Sequence, residues 1–408
     1  MSAQTGAAAA AGDITAPRAS PAGPAWAGRP LTAGLIALAG AFGFVLLRLG
    51  LAAGGNISGF VRAAAPYSHA GLVPRGLLVS GGDGYDGQFY YRLALDPADL
   101  RHTAYGITMD LPFRVQRIGY PALAWLLSAG RHAWVPGSLA AVNVLALGVI
   151  GLTGGILARD CGRHPLWGLL LAGYFGFFIS VGCDLTEPVA AACLLGGVLA
   201  WRRGQPVLAG LVTGYGVLTR ETVLIAVLAL VLTRLAAMTR GRARPGAADL
   251  AWCLPLMAFA AWQLILRAVT GRWILLASVG ANASSGLPFG EFAAALRLNT
   301  GLLWPPTGAA YIWFLEVATL LAVTAAAVAS LRSTTVPGWE RAAFVLFVIE
   351  LGGLAASIWT GHADLRSIAE VYLFAVLLLL GSGRRLRPLA LCAGAAAVVA
   401  AAHQALYL

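Results

Sequence analysis

The stretch LTAGLIALAGAFGFVLLRLGLAA, residues 31–53, decides the fold. A hydrocarbon core of roughly 30 Å takes about 20 apolar helical residues to cross, and this run supplies them with Arg48 as its one charge. Comparable segments recur at 134–158, 165–182, 188–201, 206–219, 222–238, 249–268, 308–331, 341–360, 367–381 and 388–407. The chain therefore reads as an all-α, polytopic transmembrane protein of about eleven spans, over 31–408, behind a disordered cytoplasmic tail at 1–30. Segments 188–201 and 206–219 are short for a full crossing, which points to tilt or re-entry, and 118–130 reads as a half-span.

Composition agrees: hydrophobic residues make up 59% of the chain and charged residues 11%. The net charge of +11 is all arginine, because the sequence has no lysine. These arginines lie between spans, where the positive-inside rule expects them, so they argue for a membrane and against nucleic acid. The five cysteines are scattered, with neither metal spacing nor a disulfide framework. No Walker loop, serine elbow, His-Glu-x-x-His element or dinucleotide fingerprint is present, and no long cytoplasmic segment exists to fold a nucleotide-binding domain. Direct drive by ATP is not expected.

Counting eleven spans puts the arginine loops on one side: Arg159 and Arg163; Arg202 and Arg203; Arg234 to Arg244; Arg332 and Arg341; Arg384 to Arg387. With the tail they define the cytoplasmic face of a bacterial inner membrane. The other face collects the outer loop 54–133, the turns at Asp184–Glu187 and Arg220–Glu221, segment 269–307, and the turn with His362, Asp364 and Arg366. Every conspicuous polar cluster is expected there.

The first outer loop carries Gly81-Gly82-Asp83-Gly84-Tyr85-Asp86-Gly87-Gln88-Phe89-Tyr90-Tyr91-Arg92. The glycines make an adaptable turn, and Asp86 reads as the N-cap of a short helix stopping before Pro97. Alternatively, Asp86 and Asp83 are working carboxylates among Tyr85, Gln88, Tyr90 and Tyr91, a mixture suited to a sugar's hydroxyl edges and apolar faces. The other motifs carry paired readings too. Thr186 can cap a helix whose first turn holds Glu187 and Pro188, or Glu187 and Asp184 can join the site. Arg220–Glu221 is a surface pair or a phosphate anchor, and Arg114 and Arg117 are snorkelling anchors or lipid-phosphate ligands. Arg48 is left without a role.

The runs Asp83-Gly84-Tyr85-Asp86-Gly87-Gln88-Phe89-Tyr90-Tyr91, Arg117-Ile118-Gly119-Tyr120-Pro121, Leu185-Thr186-Glu187-Pro188 and Leu218-Thr219-Arg220-Glu221 resemble bacterial membrane proteins implicated in cell-surface glycopolymer formation. More distantly they are similar to the GT-C glycosyltransferases, including the GPI mannosyltransferase branch. The likeness covers about residues 31 to 240. It implies a multi-span hexosyltransferase whose active site faces outward, fed by a polyprenyl-phosphate sugar, with an acid of the first outer loop as general base. On this chain the base falls on Asp86, with Asp83 second.

An inverting transfer then needs one carboxylate to take the acceptor proton and fixed cations for the departing phosphate. Arg220 leads for that role, followed by Arg366 and Arg117, with Asp184, Glu187, Glu221 and His362 lining the site. Hard oxygen ligands at Asp83, Asp86 and Glu187 would suit magnesium or manganese, although a lipid monophosphate donor does not demand a cation. Two rivals use the same residues: a transporter or flippase for a lipid-linked glycan, and a non-catalytic subunit of a glycopolymer assembly complex.

Overall fold

The computed structural model describes residues 28–276, 287–304 and 307–407, so most of the predicted tail lies outside the described residues. The chain is a helical membrane protein. Among the described residues, five helical stretches are long and apolar enough to cross a bilayer: Pro30–Leu51, His132–Asp160, Ala247–Thr270, Gly308–Val328 and Arg387–Leu406. A sixth is added if the pair Pro165–Ala172 and Phe175–Gly182, bent by 53°, counts as one span. That bend falls inside the stretch read as 165–182. Segment 341–360 likewise does not hold as one rod: its helix stops at Gly352, and a short helix restarts at Ala356.

The helices are named in chain order. They are α1 (Pro30–Leu51), α2 (Gly87–Leu95), α3 (Gly119–Leu127), α4 (Val135–Asp160), α5 (Leu169–Ala172), α6 (Phe175–Gly182), α7 (Glu187–Arg202) and α8 (Pro206–Thr219). There follow α9 (Val223–Thr239), α10 (Cys253–Thr270), α11 (Gly290–Gly301), α12 (Gly308–Val328), α13 (Gly338–Gly352), α14 (Ala356–Thr360), α15 (Ala369–Leu380) and α16 (Arg387–Leu406). Small residues set the closest approaches. A methyl group on Gly151 would lie 2.6 Å from the Ala33 carbonyl, so α1 and α4 meet almost backbone to backbone.

The connecting loops gather at two ends. At one, Arg163 donates to the carbonyls of Leu380, Ser382 and Arg384, Arg203 pairs with Asp160 at 2.9 Å, and Arg384 reaches the Ala329 carbonyl. Trp201 against Trp252 brings the start of α10 to the same end. This is the arginine-loop grouping expected from span parity. At the opposite end, residues of the first loop meet the turns at 183–187, 220–221 and 360–368.

The first loop is partly folded in its own right. Ala63–Ala64 pairs in parallel with Val79–Ser80, and Thr103–Ala104 pairs antiparallel with Ile107–Thr108. α2 and α3 pack on α4 through Phe89, Leu93, Tyr120 and Leu139, all buried. As expected, α2 ends before Pro97: Asp96 is extended, as a residue preceding proline prefers.

Candidate active site

Three glycines bring the site together. A Cβ on Gly87 would lie 2.2 Å from the Cys183 carbonyl, one on Gly119 2.3 Å from Thr219 Oγ1, and one on Gly176 2.6 Å from Arg366 Cα. The start of α2 thus sits on the α6–α7 turn, the start of α3 on the end of α8, and the 3-10 helix His362–Ile368 on α6.

Asp86 occupies the N-cap position of α2, yet its side chain makes no capping hydrogen bond. Its Oδ2 accepts instead from Arg114 Nη1 at 2.7 Å and from Arg366 Nη2 at 3.0 Å. Arg366 also faces Glu187 Oε1 and Asp364 Oδ1, each at 3.7 Å, and its guanidinium lies 5.0 Å above the Tyr85 ring, whose hydroxyl donates to Asp364. Glu187 accepts from Ser180 Oγ and from Arg220 Nη1, both at 3.0 Å. Arg220 continues to the Ser367 carbonyl at 3.0 Å and to Glu370 at 3.5 Å. Beside this chain, Arg117 grips Glu221 with two bonds of 2.6 and 3.0 Å and reaches the Tyr90 hydroxyl at 3.4 Å.

Among the described residues, four arginines (114, 117, 220 and 366) meet six acids (86, 110, 187, 221, 364 and 370). The guanidinium charge is already countered. Hydrogen-bonding capacity is not exhausted: Arg220 Nε and Arg366 Nε are buried without an acceptor, their nearest carboxylate oxygens standing at 3.5 and 3.7 Å. Burial alone would raise the Asp86 carboxyl, but Arg114, Arg366 and Arg117 outweigh it and hold Asp86 below the ordinary carboxylate range. Glu221 is carried down to about 2 against its own burial, chiefly by Arg117. Asp86 is therefore ionised at neutral pH, and while two arginines hold it, only weakly basic.

The sequence-predicted residues thus divide. Asp86, Tyr85, Tyr90, Arg117, Glu187, Arg220, Glu221 and Arg366 converge. Asp83 is exposed and has no hydrogen bond or ion pair among the described residues. Gln88 is buried and accepts from Ala64 N and Ser68 Oγ, so it holds the loop together. Tyr91 joins the apolar core around α2. His362 turns to His403, ring centroids 4.8 Å apart, and burial beside that ring lowers it to about 4, leaving it neutral. Asp184 is wholly buried with neither oxygen hydrogen-bonded. No group of three or more His, Cys, Asp or Glu among the described residues is placed to hold a metal ion.

Ser180 and Glu370 are not signalled by the sequence, while Arg114 and Asp364, read there only as a possible phosphate ligand and as part of a polar turn, prove to contact Asp86 and Tyr85 directly. The Asp110–Arg114 spacing of four was the available signal for Arg114, since that pair closes at 2.9 Å and presents the guanidinium to Asp86.

From this end an apolar groove of about 790 Å³ runs down between α3, α4, α7 and α8. Its lining includes Leu123 and Val189, just past the Gly119 and Glu187 helix starts, and reaches Leu208 near the other end of α8. Comparison with protein-family models, curated proteins and solved structures finds no match to the chain.

Proposed function

We propose that this protein is a GT-C-like membrane glycosyltransferase, moving a sugar from a polyprenyl-phosphate donor to a glycan or lipid-linked acceptor on the outer face. In this reading eleven helical passes cross a bacterial inner membrane, the arginine-loop end is cytoplasmic, and Asp86 is the general base. The observation that carries it is an ionised carboxylate sharing Arg366 with Glu187, next to two buried guanidinium N–H groups that lack acceptors.

The chemistry follows from that arrangement. The phosphodiester of a polyprenyl-phosphate sugar brings acceptor oxygens for Arg220 Nε and Arg366 Nε, and it competes with Asp86 for the Arg366 guanidinium. Losing that partner raises the basicity of Asp86 as donor binds, so the base is strengthened when the acceptor hydroxyl is to be deprotonated. The arginines then stabilise charge on the departing phosphate, and the groove beside Leu123 and Val189 offers a lipid tail an apolar path.

Native mass spectrometry of the detergent-purified protein tests this. Asp86→Asn should retain a polyprenyl-phosphate sugar that Arg220→Met has lost. Equal lipid occupancy in both variants contradicts the assignment of Arg220.

Glu316 favours the transport alternative: it lies mid-way along α12, fully buried, with neither carboxylate oxygen hydrogen-bonded among the described residues. A Glu316→Gln variant that blocks glycan export while leaving the lipid-linked sugar consumed would support that reading instead.

A further inference from the structure

Arg48, in the last turn of α1, is a buried charge that the candidate active site does not use. It has no solvent exposure, and its Nη1 donates to the backbone carbonyls of Gln404 and Tyr407. Its Nε and Nη2, the edge that would grip a carboxylate side-on, have no acceptor among the described residues. That edge lies against the α6–α7 turn: a Cβ on Gly182 would stand 3.3 Å from Arg48 Nε and 3.4 Å from Gln404 Oε1.

Two residues on, Asp184 is equally buried, takes a left-handed backbone at φ +50°, and has both carboxyl oxygens unpartnered. Burial raises this carboxyl well above the ordinary range, with Arg48 opposing, which favours the O–H form. His362 and His403 cross rings nearby, each with a buried Nδ1 lacking a partner. An uncompensated buried guanidinium is among the costliest groups a protein can hold, and orphaned donors add to the cost.

We propose that Arg48 and Asp184 frame a buried site for a small monovalent inorganic anion such as chloride, which takes the free guanidinium edge and ties α1, the α6–α7 turn and α16 together. The site is independent of the sugar-transfer reading and shares none of its arginines.

The test is thermal unfolding of the full chain in detergent, with chloride replacing gluconate at constant ionic strength. The midpoint should rise saturably with chloride, and bromide should substitute for it. Arg48→Gln should give a flat response, and Asp184→Asn, whose amide also donates, should keep the shift. A wild-type midpoint indifferent to chloride overturns the proposal. So does loss of the shift in Asp184→Asn, which would make Asp184 the ionised partner of Arg48 through solvent. Should Arg48→Gln fail to fold, the wild-type and Asp184→Asn titrations still decide.

Discussion

Arg366 donates to Asp86 across 3.0 Å although 280 positions separate the two residues. The same guanidinium faces Glu187, so the turn at 360–368 joins the loop that follows α1 to the head of α7. Everything proposed about the site depends on that junction.

Removing Arg366 leaves two largely buried carboxylates short of a partner. Arg366→Met should cost about 3 kcal/mol, read as a lowered unfolding midpoint in detergent. Arg366→Lys should recover only part of this, because an ammonium cannot span Asp86, Glu187 and Asp364 as a planar guanidinium does. Full recovery by lysine would mean that charge alone matters here.

Gly87→Ala places a methyl group against the Cys183 and Val61 carbonyls, neither of which can swing aside. A loss of about 1–3 kcal/mol is expected, along with separation of Asp86 from Arg366. Gly43→Ala meets open space on α1 and should be neutral or gain up to about 1 kcal/mol. Similar stabilities for the two variants would show that the α2 start does not press on the α6–α7 turn.

Much of this could be read from the sequence, for identifiable reasons. Hydropathy located the apolar helices, of which five or six among the described residues are long enough to cross rather than the eleven expected, and arginine bias grouped the loops now seen together at one end, because both depend on composition summed over many residues. The start and stop of α2 followed from glycine and proline. The direction of the Asp86 side chain did not: a cap and a two-arginine ligand look identical until Gly87 and Gly176 bring distant backbones together. Gln88 and Tyr91 carry a related ambiguity, since on a helix buried on every side polar and aromatic residues serve internal bonds and packing as readily as a ligand. The break after Gly352 lies within a continuous apolar run, where hydropathy has no resolution.

The Arg117–Glu221 pair sets an acid limit. The folded carboxyl is depressed from 4.5 to about 2, so its contribution is complete above the ordinary value and is lost as pH falls through that interval. The stability gap between the protein and Glu221→Gln should be on the order of 3 kcal/mol at neutral pH and should close as pH approaches 2. A gap that does not change with pH would remove the ion pair from the account.

Orientation has its own check. In a variant lacking the native cysteines, Asp83→Cys on the exposed loop should react with a membrane-impermeant maleimide in intact cells. Reaction only after lysis would put the site on the cytoplasmic side and contradict the outward-facing reading.

The most direct measurement is the level of sugar-phosphate lipid in membranes carrying Asp86→Asn, set beside Asp83→Asn and the unaltered chain. Loss of the base should let the donor lipid accumulate and its glycan product disappear with Asp86→Asn alone. Donor and product levels unchanged by Asp86→Asn would contradict the account.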